Sequence, residues 1–169
     1  MNLVVDANVF QAYFQKSVHG TLPLVTGDPN NLFGRILGGE DAISFDDSDF
    51  IKGEWERPVE REWFSKWFAK LLAQGNVRFV ALSRCQFIGT LCAEGFPRSK
   101  DVRYIQAAIA SKSAGSSVFL VTEDIDFFDP TKKASGMKTR HRIMKTGNTK
   151  ITNYLRRKQD IEVVCIANV

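Results

Sequence analysis

The chain has two histidines, three cysteines and, between residues 131 and 158, no acidic residue at all. His19 and His141 are too few and too far apart for a histidine-based metal centre, and no Ser-His-Asp or Cys-His set can be read. Cys85, Cys92 and Cys165 are odd in number and lack metal-ligand spacing, so they predict reduced thiols in a cytoplasmic protein and not a disulfide framework. No run of about 18 apolar residues occurs, and Leu3-Val4-Val5 is followed at once by Asp6 without a basic leader, which argues against membrane insertion and secretion. Gly38-Gly39 and Gly115 lack phosphate-loop spacing, so nucleotide binding by such a loop has no support.

Where acids are missing, positive charge accumulates. Residues 131–158 carry ten Lys or Arg, whereas residues 1–130 carry 13 bases against 17 acids, within a net charge of +4. With Gly136 and Gly147 in it and no apolar period, the segment at about 131–150 is expected to be a basic loop or insert. Its Lys132, Lys133, Lys138, Arg140, Arg142, Lys145 and Lys150 are candidate contacts to a phosphate backbone; the plainer reading is a solvated face.

A hydrophobic fraction of 44% and a charged fraction of 25% over 169 residues suit one globular domain spanning the chain. Leu3 to Val5, Ala42 to Phe45, Val77 to Leu82, Val118 to Thr122 and Glu162 to Ile166 read as strands. Helical spacing falls over Asn8 to Phe14, Leu32 to Leu37, a segment with Phe50, Ile51 and Trp55, Glu62 to Gln74, Asp101 to Ala114 with Gly115 as its stop, and Ile151 to Lys158. The apolar side of Glu62 to Gln74, with Trp63 and Trp67, reads as core in preference to a base-stacking surface. Alternation of apolar strands with helices predicts an α/β fold with a parallel sheet covered on both faces, whose ligands bind beyond the carboxyl ends of the strands.

Asp6, Asp124 and Asp126 all leave strands at that edge. Asp6 also suits a helix N-cap, and Asp124 or Asp126 a turn, so each has a structural reading of its own. Asp101 lies four residues before Ile105 and seven before Ala108, on the inward side of its helix. Glu54 shares the side of Phe50 and Ile51, while Glu56 is rotated about 200° away. Acids gathered in this way are stable mainly with a divalent ion, which predicts a metal-dependent enzyme.

In order along the chain, these residues resemble the PIN-domain ribonucleases. Leu3-Val4-Val5-Asp6-Ala7-Asn8-Val9-Phe10 is similar to the family's opening strand with its Asp-x-Asn signature. Glu54 and Asp101 fit the second and third acids, and Val121-Thr122-Glu123-Asp124-Ile125-Asp126-Phe127 resembles the closing Thr-x-Asp-x-Asp-Phe element. The resemblance covers roughly residues 2 to 129 and the last strand, and leaves the basic segment outside. It implies a PIN-like central parallel sheet of four to five strands flanked by helices. It also implies a Mg2+ or Mn2+ site for hydrolysis of RNA phosphodiesters. Asp6, Glu54, Asp101 and Asp124 would be the catalytic acids, with Asp6, Asp101, Asp124 and Asp126 as metal ligands and Asn8 and Thr122 as orienting polar residues. RNA would be the substrate, and toxin-type members imply an antitoxin or other protein inhibitor; a homodimer is a candidate assembly. The chain's length, its aromatic helix and its basic segment depart from the compact toxins.

Two other readings compete. A catalytically degenerate nucleic-acid-binding or regulatory module would keep the scaffold without the chemistry. An aspartate-nucleophile phosphatase would also place an Asp after the first strand, but it usually wants a second acid two residues later, where this chain has Asn8.

Overall fold

A computed structural model describes residues 1–169 apart from 22, 83 and 113–116. Its five strands are β1 (Asn2–Val5), β2 (Ala42–Asp46), β3 (Val77–Val80), β4 (Val118–Val121) and β5 (Ile161–Val164). They form one all-parallel sheet in the order β3-β2-β1-β4-β5. The expected α/β class and five-stranded parallel sheet are therefore present. β1, central in the sheet, is apolar and buried at Leu3, Val4 and Val5, as a strand covered on both faces must be.

Helices fill every connection: α1 (Ala7–His19) and α2 (Pro29–Leu37), then α3 (Phe50–Glu56) and α4 (Arg61–Ala73), then α5 (Ile88–Ala93) and α6 (Val102–Ala110), then α7 (Met137–Thr146) and α8 (Lys150–Gln159). Right-handed crossovers put the first two pairs on one face of the sheet and the last two pairs on the other, because strand order reverses between β1 and β4.

The face under α1 to α4 is aromatic. Phe10 stacks on Trp55 at 4.3 Å between ring centroids and meets Trp67 at 4.8 Å, while Trp63 packs edge-on to Phe14. Trp55 and Trp67 are buried, so the tryptophans are core, as their helical spacing predicts.

Three expectations change. The segment 131–150 is not a loop, since the helix α7 occupies half of it. Gly136 and Gly147 are its ends, the latter left-handed at φ 58°, and Ile143 and the buried Met144 give it an inward stripe too narrow to stand out among lysines. The segment between the strand read at Val77 to Leu82 and the helix read from Asp101, to which the sequence assigns no element, contains α5. The helix expected to reach Ala114 ends at Ala110, and the stop assigned to Gly115 lies outside the described residues. Among the described residues, no helix is long and apolar enough to cross a membrane.

Candidate active site

Asp6 follows β1 and Asp124 follows β4, so the two stand beside the point where strand order reverses. Asp6 occupies the N-cap position of α1, yet its carboxylate makes no capping hydrogen bond. It accepts instead from the Thr122 hydroxyl at 2.7 Å, and that hydroxyl in turn accepts from the Asp124 backbone N–H at 3.0 Å. Thr122 thereby ties the two acids together, and Asn8 supports the same turn by accepting from the Glu123 N–H. Asp124 begins a short 3-10 turn and accepts from the Asp126 N–H at 2.9 Å.

Glu54 reaches the site because β2 ends in Asp46. That side chain accepts from the N–H groups of Phe50 and Ile51 at 2.9 and 2.7 Å, satisfying the first donors of α3 and fixing its direction. Glu54 is 5% exposed, whereas Glu56 on the same helix is only partly buried, as the helix phase read from Phe50 and Ile51 requires. Asp101 sits at the start of α6 and accepts from the Ser99 hydroxyl. One turn on, the buried Tyr104 places its hydroxyl 3.2 Å from the Ala7 N–H, next to Asp6.

Asp6, Glu54, Asp101 and Asp124 line one cavity of about 470 Å3. Burial pushes the Asp6 carboxyl up from 3.8 to about 7; the Thr122 hydrogen bond opposes this, and the charges of Asp124 and Asp101 add to it. Asp124 is raised too, chiefly by burial. Burial also raises the Tyr104 phenol, with the Asp6 carboxylate second among the causes.

Two cations share the cavity that the sequence did not reveal as part of it. Glu54 is paired with Arg57 at 2.7 Å and with Lys100. Arg57 stands one helical turn after Glu54 and Lys100 beside Asp101, a signal visible only once those two acids are placed together. Asp126 is not among the residues that line the cavity. It is buried, with one oxygen on Lys133 at 2.5 Å and the other, Oδ1, without a partner among the described residues. The nucleic-acid candidates divide accordingly. Lys133 is held by Asp126 and Lys150 by Glu94, while Lys132, Lys138, Arg140, Arg142 and Lys145 have no acidic partner among the described residues.

Oxygen donors alone are the right chemistry for a hard divalent ion, and a buried Asp6 carboxyl with a pKa raised to about 7 and an orphaned Asp126 oxygen two residues after Asp124 fit that donor set. Among the described residues, however, no three acidic, histidine or cysteine side chains converge closely enough to ligate one ion. Lys100, Arg57 and Lys133 supply the compensating charge instead.

Comparison of the chain with protein-family models, curated proteins and solved structures gives no match.

Proposed function

We propose that the protein is a Mg2+- or Mn2+-dependent nuclease that hydrolyses phosphodiester bonds of RNA. What carries the reading is that Asp6, Glu54, Asp101 and Asp124, from four separate segments, line one cavity beside the reversal of strand order. Asp6, Asp101 and Asp124 would hold the ion by drawing closer than they stand here, since no three acids now converge on one point among the described residues, with Asp126 joining them if it exchanges Lys133. When bound, such an ion lowers the pKa of a water and offsets charge on the phosphodiester. The chain's own residues do the rest. Thr122 keeps Asp6 and Asp124 in register, Asn8 steadies the turn between them, and Asp46 holds the helix that carries Glu54. Lys100 and Arg57 stand in the same cavity as cations for the substrate phosphate. The unpaired cations of α7 attract the polyanion to an acidic pocket that would otherwise repel it.

In this reading the protein acts in the cytoplasm, and a toxin role with an antitoxin as inhibitor, or a homodimer, is compatible with it. Labelled RNA incubated with the protein should be cut in Mg2+ or Mn2+ and left intact in chelator. Asp6→Asn, Asp101→Asn and Asp124→Asn should each lose activity by orders of magnitude. Full cleavage in chelator, or by the Asp6→Asn protein, would refute the proposal.

The second reading, a binding module without catalysis, is favoured by one observation: lysine and arginine already neutralise Glu54 and Asp126. It predicts RNA binding with no cleavage under any metal.

A further inference from the structure

The two segments that frame the acidic cavity also frame a second and larger one. Lys100 and Asp101 belong to the first cavity and Glu94, on the same connection between α5 and α6, to the second; Asp124 belongs to the first, and Phe128 to Lys132 to the second. These segments are locked to each other. Gly95, left-handed at φ +92°, lies against Pro130, where an added Cβ would meet the proline ring at 3.5 Å. The rings of Phe96 and Phe127 pack at 5.3 Å. The second cavity, about 960 Å3, is completed by α7 and the first turn of α8.

Its lining combines cations, hydroxyls and apolar surface with the carboxylates of Glu94 and Asp129, the latter accepting from the Thr131 N–H and hydroxyl. Lys132 and Arg142 bring positive charge with no acidic partner among the described residues, while Lys150 is engaged by Glu94 at 3.0 Å. Thr139 and Thr149 bring hydroxyls. Pro130 and Ile143, both partly exposed, bring apolar surface, and the buried Phe128 backs it.

We infer that this cavity binds one nucleotide of a single-stranded RNA, flanking the phosphodiester that is cut in the acidic cavity. The inference rests on the nuclease reading and names the substrate form and a subsite for it. A free phosphate would need only the cations. The apolar surface and the volume suit a base and ribose as well, the volume lying within the range of small-ligand sites. A base laid on apolar side chains with hydroxyls at its edge must be unstacked, which selects single strands over duplex. The positive end of α8, a ten-residue helix, adds to the attraction for a phosphate without being the site itself. α7 thus recognises a nucleotide in addition to the general pull of its charge.

The test is a titration of the wild-type chain, in chelator, with each of the four ribonucleoside 5′-monophosphates and with inorganic phosphate, followed by backbone amide shifts. At least one nucleotide should give saturable shifts concentrated in residues 139–149 and at Lys132, and bind more tightly than phosphate. Arg142→Ala, which removes charge-assisted hydrogen bonds, and Thr139→Trp, which fills the space, should each weaken it by about tenfold. Two variants with opposite effects on volume guard against a misfolded one, and unchanged amide positions in β1 and β4 certify the fold. Shifts that are absent, scattered over surface lysines, or equalled by phosphate overturn the inference. RNA cleavage in Mg2+ by the same preparation separates the two claims. Cleavage without a nucleotide between α7 and α8 overturns the subsite alone; a nucleotide bound there without cleavage overturns the nuclease reading and leaves the cavity a nucleotide site.

Discussion

Replacing Asp6 by Asn should make the metal-free protein more stable above neutral pH, although it removes a residue of the site. The carboxyl is 6% exposed and pushed up from 3.8 to about 7, by burial first. In the unfolded chain it titrates near 3.9. Between about pH 4 and 7 the folded form therefore keeps a proton that the unfolded form has lost. The unfolded state binds fewer protons over that window, so stability falls as pH rises and stays reduced above it. The rise from 3.8 to about 7 corresponds to about 4 kcal/mol at most, at about 1.4 kcal/mol for each tenfold change in proton affinity. Asn carries no charge and still offers an oxygen to the Thr122 hydroxyl, which lies 2.7 Å from the native carboxylate.

For a chain of this size, about 4 kcal/mol is a Tm rise of roughly 8 to 16 °C, an upper bound because water entry and relaxation soften burial. Calorimetric melts in chelator at pH 4 and pH 8 supply the measurement: the two proteins should coincide at the lower pH and separate at the higher. Mg2+ should narrow or reverse the gap, since an ion at 100 times its Kd stabilises the wild type by about 2.7 kcal/mol and the variant by less. An Asp6→Asn protein that melts at or below wild type in chelator at pH 8 would refute the reasoning.

Glu54→Gln should cut RNA cleavage by orders of magnitude and Glu56→Gln should leave it within about twofold, because only Glu54 lines the cavity while the half-buried Glu56 pairs with Arg61 outside it; equal losses in a cleavage assay would contradict the site. Neutralising Lys138, Arg140 and Arg142 together should weaken RNA binding and flatten the log-affinity against log-salt slope by up to about 2, on the single-strand coefficient, and an unchanged slope would make α7 a solvated face. Lys100→Ala should raise Mg2+ affinity in calorimetric titration by roughly tenfold, since it removes a unit charge from beside Glu54, whereas weaker Mg2+ binding would make Lys100 part of the fixed framework.

Much of the frame was legible because single residues recorded it. Leu3 to Val5 and Val118 to Val121 are apolar without alternation, which only strands covered on both sides require. The acids after them were legible for the same reason, standing where buried strands meet the sheet edge. Glu54 could be told from Glu56 because a helix turns 100° per residue, and Phe50 and Ile51 mark its inner side. α7 was missed because its inward stripe is two residues wide and its glycine ends look like loop residues. The partners of the acids were out of reach for another reason. Lys100 to Glu54 joins residues 46 apart, and nothing local in either segment specifies that contact.

The pairing of these acids is asymmetric, and the asymmetry bears on what they are for. Glu54 and Asp126 have side chains 5% and 4% exposed, while Arg57, Lys100 and Lys133 are 72%, 55% and 69% exposed. At the opposite end of the sheet Asp41, also 4% exposed, is held by the N-terminal amine and by Arg35, both about a third exposed and both built into the framework. A buried carboxylate has lost its water and must have a cation. An exposed ammonium has lost little, so its departure costs little beyond the contact itself. Glu54 and Asp126 are therefore fixed and their present cations replaceable. On the proposed reading, a divalent ion would bring twice the charge to such oxygens and would free Lys100 and Arg57 within the cavity they already line. Cations freed among neutralised carboxylates have a phosphodiester as their natural counter-charge, which makes lysine pairing compatible with the nuclease reading as well as with the binding module.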